Sequence, residues 1–221
     1  MESLSENLAK VRERIERAAA RAHRSPAEIT LLAVAKVFPA QIIRDAWNEG
    51  LREFGENYVQ EFESKEPDVR DLTGARFHLI GHLQSNKAKR ASELFQVVQS
   101  VDSPKLARRL NDAGRPLEVM IEVKTSGEET KHGLAEAELA ATVEAVRACA
   151  NLTLTGLMTV PEWTEEAEKS RAAFARLREL AAQFALPKLS MGMSHDFEVA
   201  IEEGSTMIRV GTALFGRRRK P

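Results

Sequence analysis

Short apolar runs alternate with longer amphipathic stretches along nearly the whole chain. The opening segment, Glu2 to His23, sets Leu4, Leu8, Val11 and Ile15 at helical spacing, which predicts a helix. Eight runs of β type follow: "ITLLAVAKV", "LREFGE", "RFHLIG", "QVVQSVD", "LEVMIEVK", "LTLTGLMTV", "KLSMGM" and "TMIRVG". Between them lie seven helical stretches, "PAQIIRDAWNEG", "VQEFESKEP", "NKAKRASELF", "SPKLARRLNDAG", "LAEAELAATVEAVRACA", "TEEAEKSRAAFARLRELAAQFA" and "HDFEVAIEEG". Helix punctuation agrees. Pro39 stands near a start, Ser103 precedes Pro104 as cap and first turn, and Gly50, Gly114 and Gly204 fall just past ends.

This alternation predicts an α/β chain built as a single (β/α)8 TIM-type barrel with an extra N-terminal helix. A doubly wound open sheet is the alternative, weakened because no G-x-G-x-x-G follows the first strand. No repeat and no Pro/Gly/Ser-rich linker marks a boundary, and 221 residues barely exceed what eight such units consume. Residues 1–221 are therefore expected to form one domain.

Charge narrows the function. With 32 basic against 33 acidic residues, composition favours neither a nucleic-acid binder nor a membrane-surface protein. No apolar stretch is long enough to span a bilayer, and the N-terminus is amphipathic rather than signal-like. Cys149 is the only cysteine, so no intrachain disulfide can form and no cysteine cluster can hold a metal. A cytoplasmic monomer is the expectation.

In barrels of this kind chemistry gathers at the C-terminal ends of the strands. The first strand brings Lys36 there, the second leads to Asn57 in "GENY", and the sixth brings Met158. The seventh runs into "GMSHD" with Ser194, and the eighth into "IRVGTALFG" with Arg209, Gly211 and Thr212. Loops after strands seven and eight frequently bind phosphate, and here they offer glycines, two hydroxyls and a helix start. The plainer alternative is that the glycines turn the chain and the hydroxyls cap helices.

Lys36 ends an apolar run, where a lone ammonium is costly and tends to lose its proton or to pair. A neutral amine is what imine formation with an aldehyde requires. An amine on one side of the mouth and a phosphate cradle on the other suggest a phosphorylated aldehyde, and pyridoxal 5'-phosphate has both handles. The alternative is a snorkelling lysine, or one paired with a carboxylate such as Glu56. Arg209, two residues before Gly211 and on the same strand face, could only donate to a pyridine nitrogen and would leave that nitrogen unprotonated. A salt bridge inside the barrel is its other reading.

The ordered set "LLAVAK", "FGENYVQE", "HLIGHLQSNK", "KHGL", "GLMTV", "GMSHDFEVAI" and "GSTMIRVGTALFG" resembles the pyridoxal 5'-phosphate homeostasis protein family, which is related to the barrel domain of alanine racemase. The resemblance runs from the first helix to Gly216. It implies that Lys36 holds pyridoxal 5'-phosphate as an internal aldimine and that Ser194, Gly211 and Thr212 contact its phosphate. It further implies that Arg209 partners the pyridine nitrogen, that Asn57 lies beside the ring, and that Met158 and Met193 are wall residues. Two positions depart from the family's pattern. Ala35 stands where serine is common, and Gln99 where histidine is frequent, so the fourth strand end receives no role.

Two other motifs carry no chemistry. Ser194, His195 and Asp196 spell a triad, but consecutive side chains diverge; Ser194 and Asp196 are expected to cap a helix or touch phosphate. His78 and His82 suggest a metal pair, yet residues four apart on a strand are separated by roughly 13 Å, so no metal site is expected. The terminal "RRRK" reads as a solvated tail.

An imine lysine does not make an enzyme. Racemisation needs a base on each face of the substrate carbon, or one mobile base. In the related racemase the second base is a tyrosine from a partner's extra β-domain; this chain's only tyrosine is Tyr58. The expected function is a non-enzymatic carrier supporting vitamin B6 and amino-acid balance, with cofactor-requiring apoenzymes as candidate recipients. The alternatives are a small amino-acid racemase or decarboxylase using Lys36, and an aldolase-type barrel acting on a sugar phosphate.

Overall fold

The computed structural model describes residues 3–125 and 132–216, so Lys131 of "KHGL" and the "RRRK" tail lie outside the described residues. Its strands are β1 (Thr30–Val34), β2 (Glu53–Glu56), β3 (Arg76–Leu79), β4 (Val97–Val101), β5 (Leu117–Glu122), β6 (Leu152–Met158), β7 (Lys188–Met193) and β8 (Met207–Val210). All pair in parallel and in sequence order, and β1 pairs β8 to close the barrel. The expected (β/α)8 fold is present.

Helices α1 (Leu4–Arg21), α2 (Ala40–Asn48), α3 (Val59–Lys65), α4 (Ala88–Leu94), α5 (Pro104–Asn111), α6 (Leu139–Arg147), α7 (Arg171–Gln183), α8 (Phe197–Glu202) and α9 (Thr212–Phe215) surround it. Two start later than the periodicity predicts. Turns of 3-10 helix at Glu136–Glu138 and Ala167–Ser170 precede α6 and α7, so the apolar spacing begins before the α-helical hydrogen bonds do. No helix among the described residues is long and apolar enough to cross a membrane.

Strand alternation builds two interiors. One face of each strand meets the helices: Ala33, Phe54, Phe77, Val119, Leu157 and Ile208 belong to one buried apolar cluster with them. The other face turns into the barrel. Gln99 on β4 shows this, because it reaches Met207 Sδ on β8 at 3.0 Å and accepts the Ser190 hydroxyl of β7 at 2.6 Å, across strands that are not neighbours. Deeper still, Glu118 accepts from Arg76 at 2.7 Å and Lys188 at 3.1 Å, which caps the N-terminal end with charge.

Helix α1 begins with a capping box in which Ser3 and Glu6 each accept the other's backbone N–H. It packs on α8 and α9 and buries Leu8, Val11 and Ile15. Its polar residues reach the loop after β7 and the helix after β8: Asn7 Nδ2 donates to Leu214 O of α9 at 2.9 Å, and Arg14 to Ser194 O at 3.3 Å. The extra helix thus braces the rim where the phosphate cradle is expected.

Candidate functional site

A cavity of about 750 Å³ opens at the C-terminal mouth. Lys36, Asn57, Met193, Ser194, Arg209, Gly211 and Thr212 all line it. Met158 does not. It is fully buried and stands opposite Ser190, which in turn stands opposite Met207, one layer below the Met193–Arg209 pair. Val160, two residues on, lines the wall.

Strand β1 ends at Val34, but its alternation continues, so Val34 and Lys36 both face the cavity. Lys36 is half-buried, and the chain then turns sharply through Val37 at φ 62°. Glu56, a partner considered for Lys36, hydrogen-bonds Lys65 Nζ at 2.8 Å on the helix side of the sheet. Its second oxygen is buried with no hydrogen-bond partner. Burial pushes the Glu56 carboxyl up to about 7, against the pull of Lys65 and, more weakly, Lys36.

The expected placement of amine and cradle on two sides of the mouth needs correction. Because β8 closes onto β1, with Ala33 opposite Val210, Lys36 and Gly211 leave neighbouring strands. A Cβ at Gly211 would stand 3.2 Å from the Val34 carbonyl oxygen. The amine and the hydroxyl-bearing turn are side by side.

That turn is tied together by Ser194, whose Oγ accepts the Ala213 N–H at 3.3 Å, joining the loop after β7 to the first turn of α9. Gly192 just before has φ +91°, and a Cβ there would lie 2.5 Å from the Ala200 Cβ, so neither backbone nor space admits a side chain. Asp196 was expected to cap α8 or touch phosphate; its carboxylate instead accepts the Met193 N–H at 2.7 Å and makes no cap bond. Ser194 and Asp196 therefore face different partners, and His195 leans towards Trp163, their ring centroids 6.2 Å apart. No triad exists.

Arg209 is 4% exposed, and burial lowers its pKa to about 10, still protonated at neutral pH. Nη1 donates to the Ser190 carbonyl at 2.7 Å and to its hydroxyl at 2.9 Å, and Nη2 to the Thr159 carbonyl at 2.8 Å. These use at most three of the five guanidinium N–H groups while the residue faces the cavity. Below it the bonding continues from Ser190 through Gln99 to His78, 2.9 Å from Gln99, and on to Glu53. His78 is buried inside the barrel, and burial lowers its pKa. His82 sits at the rim, stacked on His132 with centroids 3.9 Å apart. The two histidines part company, and no group of metal-ligating side chains is found among the described residues.

Several lining residues carry no clear sequence signal. Ile80 continues a strand's inward parity, but Phe38 follows the turn at Val37, and Trp163, 67% exposed, lies in an irregular loop. Lys65 was also missed, although Val59, Phe62 and Lys65 at helical spacing form the buried stripe of α3.

Comparison with known proteins adds family evidence. Residues 6–219 match the family model described as alanine racemase, N-terminal domain. The chain is 50% identical to the pyridoxal phosphate homeostasis protein of Pseudomonas aeruginosa over 99% of its own length and 97% of that protein's. It is 44% identical to the protein of that name from Escherichia coli K12, over 99% and 98% of the two chains. PipY of Synechococcus elongatus PCC7942, solved with PLP bound, superposes with a TM-score of 0.86 at 37% identity, over 97% of this chain and 100% of that one.

Proposed function

The chain belongs to the pyridoxal phosphate homeostasis protein family, and from that premise we propose that it carries pyridoxal 5'-phosphate at the barrel mouth, as an aldimine of Lys36. Residues 1–221 act in this reading as one cofactor-binding barrel domain serving vitamin B6 and amino-acid balance, with cofactor-requiring apoenzymes as recipients.

One observation carries the reading: Lys36 and the turn holding Ser194, Gly211 and Thr212 line the same cavity from adjacent places on the barrel. On the pyridine ring of this cofactor the aldehyde and the phosphate arm stand on neighbouring carbons, so an amine beside an anion cradle is the arrangement it needs. The residues fit. The cradle offers two hydroxyls and backbone approach at Gly211, and Arg209 offers a permanent donor for the ring nitrogen. An arginine partner leaves that nitrogen unprotonated, and the bound ring then supplies only weak electron withdrawal.

When bound, the cofactor would supply an aldehyde carbon to Lys36 Nζ, which would first give one proton to solvent; its two remaining N–H protons would leave with the aldehyde oxygen as water. The same water reverses the step, which suits a carrier that must release its load. Tyr58 supports carriage over turnover: it is 58% exposed and does not line the cavity.

The test is an absorbance spectrum of the protein with pyridoxal 5'-phosphate before and after borohydride, followed by peptide mapping. Label on Lys36 is expected; label on another lysine, or none, overturns the assignment. Incubating the holoprotein with amino acids in deuterated water separates carrier from racemase, because rapid stereospecific exchange at the α-carbon would defeat carriage.

A further inference from the structure

The peptide groups on either side of Lys36 are gripped by one ion cluster on the far side of the sheet. Lys65 Nζ donates to Ala35 O at 3.0 Å, to Glu56 Oε1 at 2.8 Å and to Glu61 Oε1 at 2.7 Å. Glu61 Oε1 also accepts the N–H of Val37 at 2.5 Å. Lys65 therefore holds the residue before Lys36 directly and the residue after it through Glu61.

The held conformation is a costly one. Val37 adopts φ 62°, the left-handed region, where a β-branched side chain is a true outlier. Its side chain is 53% exposed, so little burial offsets the strain. Backbone outliers of this kind persist where the surroundings over-determine them. Here the surroundings are the Glu61 carboxylate and a Phe38 N–H bond to Ala35 O at 3.1 Å.

Stability alone is a poor explanation of the cluster. Lys65 is 7% exposed and Glu56 fully buried, and buried ion pairs often do no better than apolar residues of similar volume. The second Glu56 oxygen is left without a hydrogen bond, which worsens the balance. A leucine at position 65 would complete the apolar stripe of Val59 and Phe62.

We propose that Lys65 and Glu61 are positioning residues for Lys36: by fixing the Ala35 carbonyl and the Val37 N–H they set the direction in which the lysine side chain enters the cavity. This rests on the reading of Lys36 as the imine-forming amine.

The test follows borohydride-trapped adduct at Lys36 against time and pH, by peptide mapping, in the full chain with pyridoxal 5'-phosphate. The variants are Lys65→Met combined with Glu56→Gln, and separately Glu61→Ala. The first removes a buried cation and a buried anion together; the second removes a partly exposed carboxylate and keeps the inquiry alive should the first not fold. Both are expected to keep the wild-type circular dichroism spectrum. Trapping is expected to slow by about tenfold to a hundredfold, as for a misdirected reacting group, with a displaced pH midpoint that a merely structural role would not move. Folded variants trapped at wild-type rate and midpoint would overturn this inference alone. Wild-type protein that gives no Lys36 adduct would overturn the cofactor reading, and this one with it.

Discussion

Gly211 and Val34 face each other across the seam that closes the barrel, with room for a Cβ only 3.2 Å from the Val34 carbonyl oxygen. The contact brings the end of β8 beside the strand that carries Lys36. An anion held at the Gly211 turn and an aldehyde at Lys36 are consequently neighbours, and the first prediction concerns the anion.

Thr212 stands at the start of α9, exposed, and lines the cavity. Thr212→Ala removes one hydrogen bond to a charged group, roughly 1.5–3 kcal/mol. The dissociation constant for pyridoxal 5'-phosphate should rise by about ten- to a hundredfold, with the melting temperature unchanged. Equal affinities would remove Thr212 from the cradle.

Ser190 is expected to behave differently. Its hydroxyl donates to Gln99 and accepts from Arg209 inside the barrel, while its carbonyl also holds Arg209. Ser190→Ala strands a buried Gln99 oxygen, a loss of about 1–3 kcal/mol in folding free energy. The carbonyl still anchors the guanidinium, so cofactor affinity should fall less than in Thr212→Ala. Urea unfolding beside a binding titration reads both effects.

Gly81 tests the wall behind Asn57. A Cβ there would lie 2.3 Å from the Asn57 carbonyl oxygen, a contact that only backbone movement can relieve. Gly81→Ala should cost about 1–3 kcal/mol, as overpacking does, and should weaken cofactor binding by shifting Asn57. Unchanged stability and affinity together would show that this backbone yields freely.

The barrel was legible in the sequence because each strand and helix carries its own periodicity, and the alternation of eight with seven leaves few topologies. The rim residues Lys36 and Arg209 were legible because strand parity assigns faces, and Gly211 and Thr212 because they follow the last strand into a helix start. Parity does not assign depth. Met158 has the right face but lies one layer down, level with Ser190 and Met207. Closure of the predicted barrel already implied that the first and last strands pair, yet the amine and the cradle were expected on two sides of the mouth. Lys65 was hidden by a habit of reading charge as solvent, although its place on the stripe of Val59 and Phe62 pointed inward.

Glu122, buried at the C-terminal end of β5, should make stability depend on pH. Burial pushes its carboxyl up to about 7, opposed by Arg209 and Lys124 and assisted by Asp102. In the unfolded chain an ordinary glutamate titrates near about 4.3. Between those values the native protein keeps a proton that the unfolded chain has released. Unfolding then frees a proton, so the Glu122 contribution to stability falls as pH rises through this window, by up to about 1.4 kcal/mol per unit, and levels off above it. Glu56, raised by burial to about 7, adds in the same direction. Glu118 and Glu202 have lowered values, with Arg76, Lys188, Arg171 and Arg21 opposing burial, so their contributions are lost only at more acid pH. His78, lowered by burial, works the other way: below its ordinary value the unfolded chain takes up a proton that the native imidazole refuses, so its contribution rises with pH, and only the difference between wild type and a Glu122 variant isolates Glu122. Glu122→Gln resembles the protonated acid at every pH. It should match wild type near about pH 5, exceed it near about pH 8, and flatten the slope between. Denaturation midpoints across that range decide it, and parallel curves for the two proteins would mean that Glu122 is already ionised in the folded barrel at mildly acid pH.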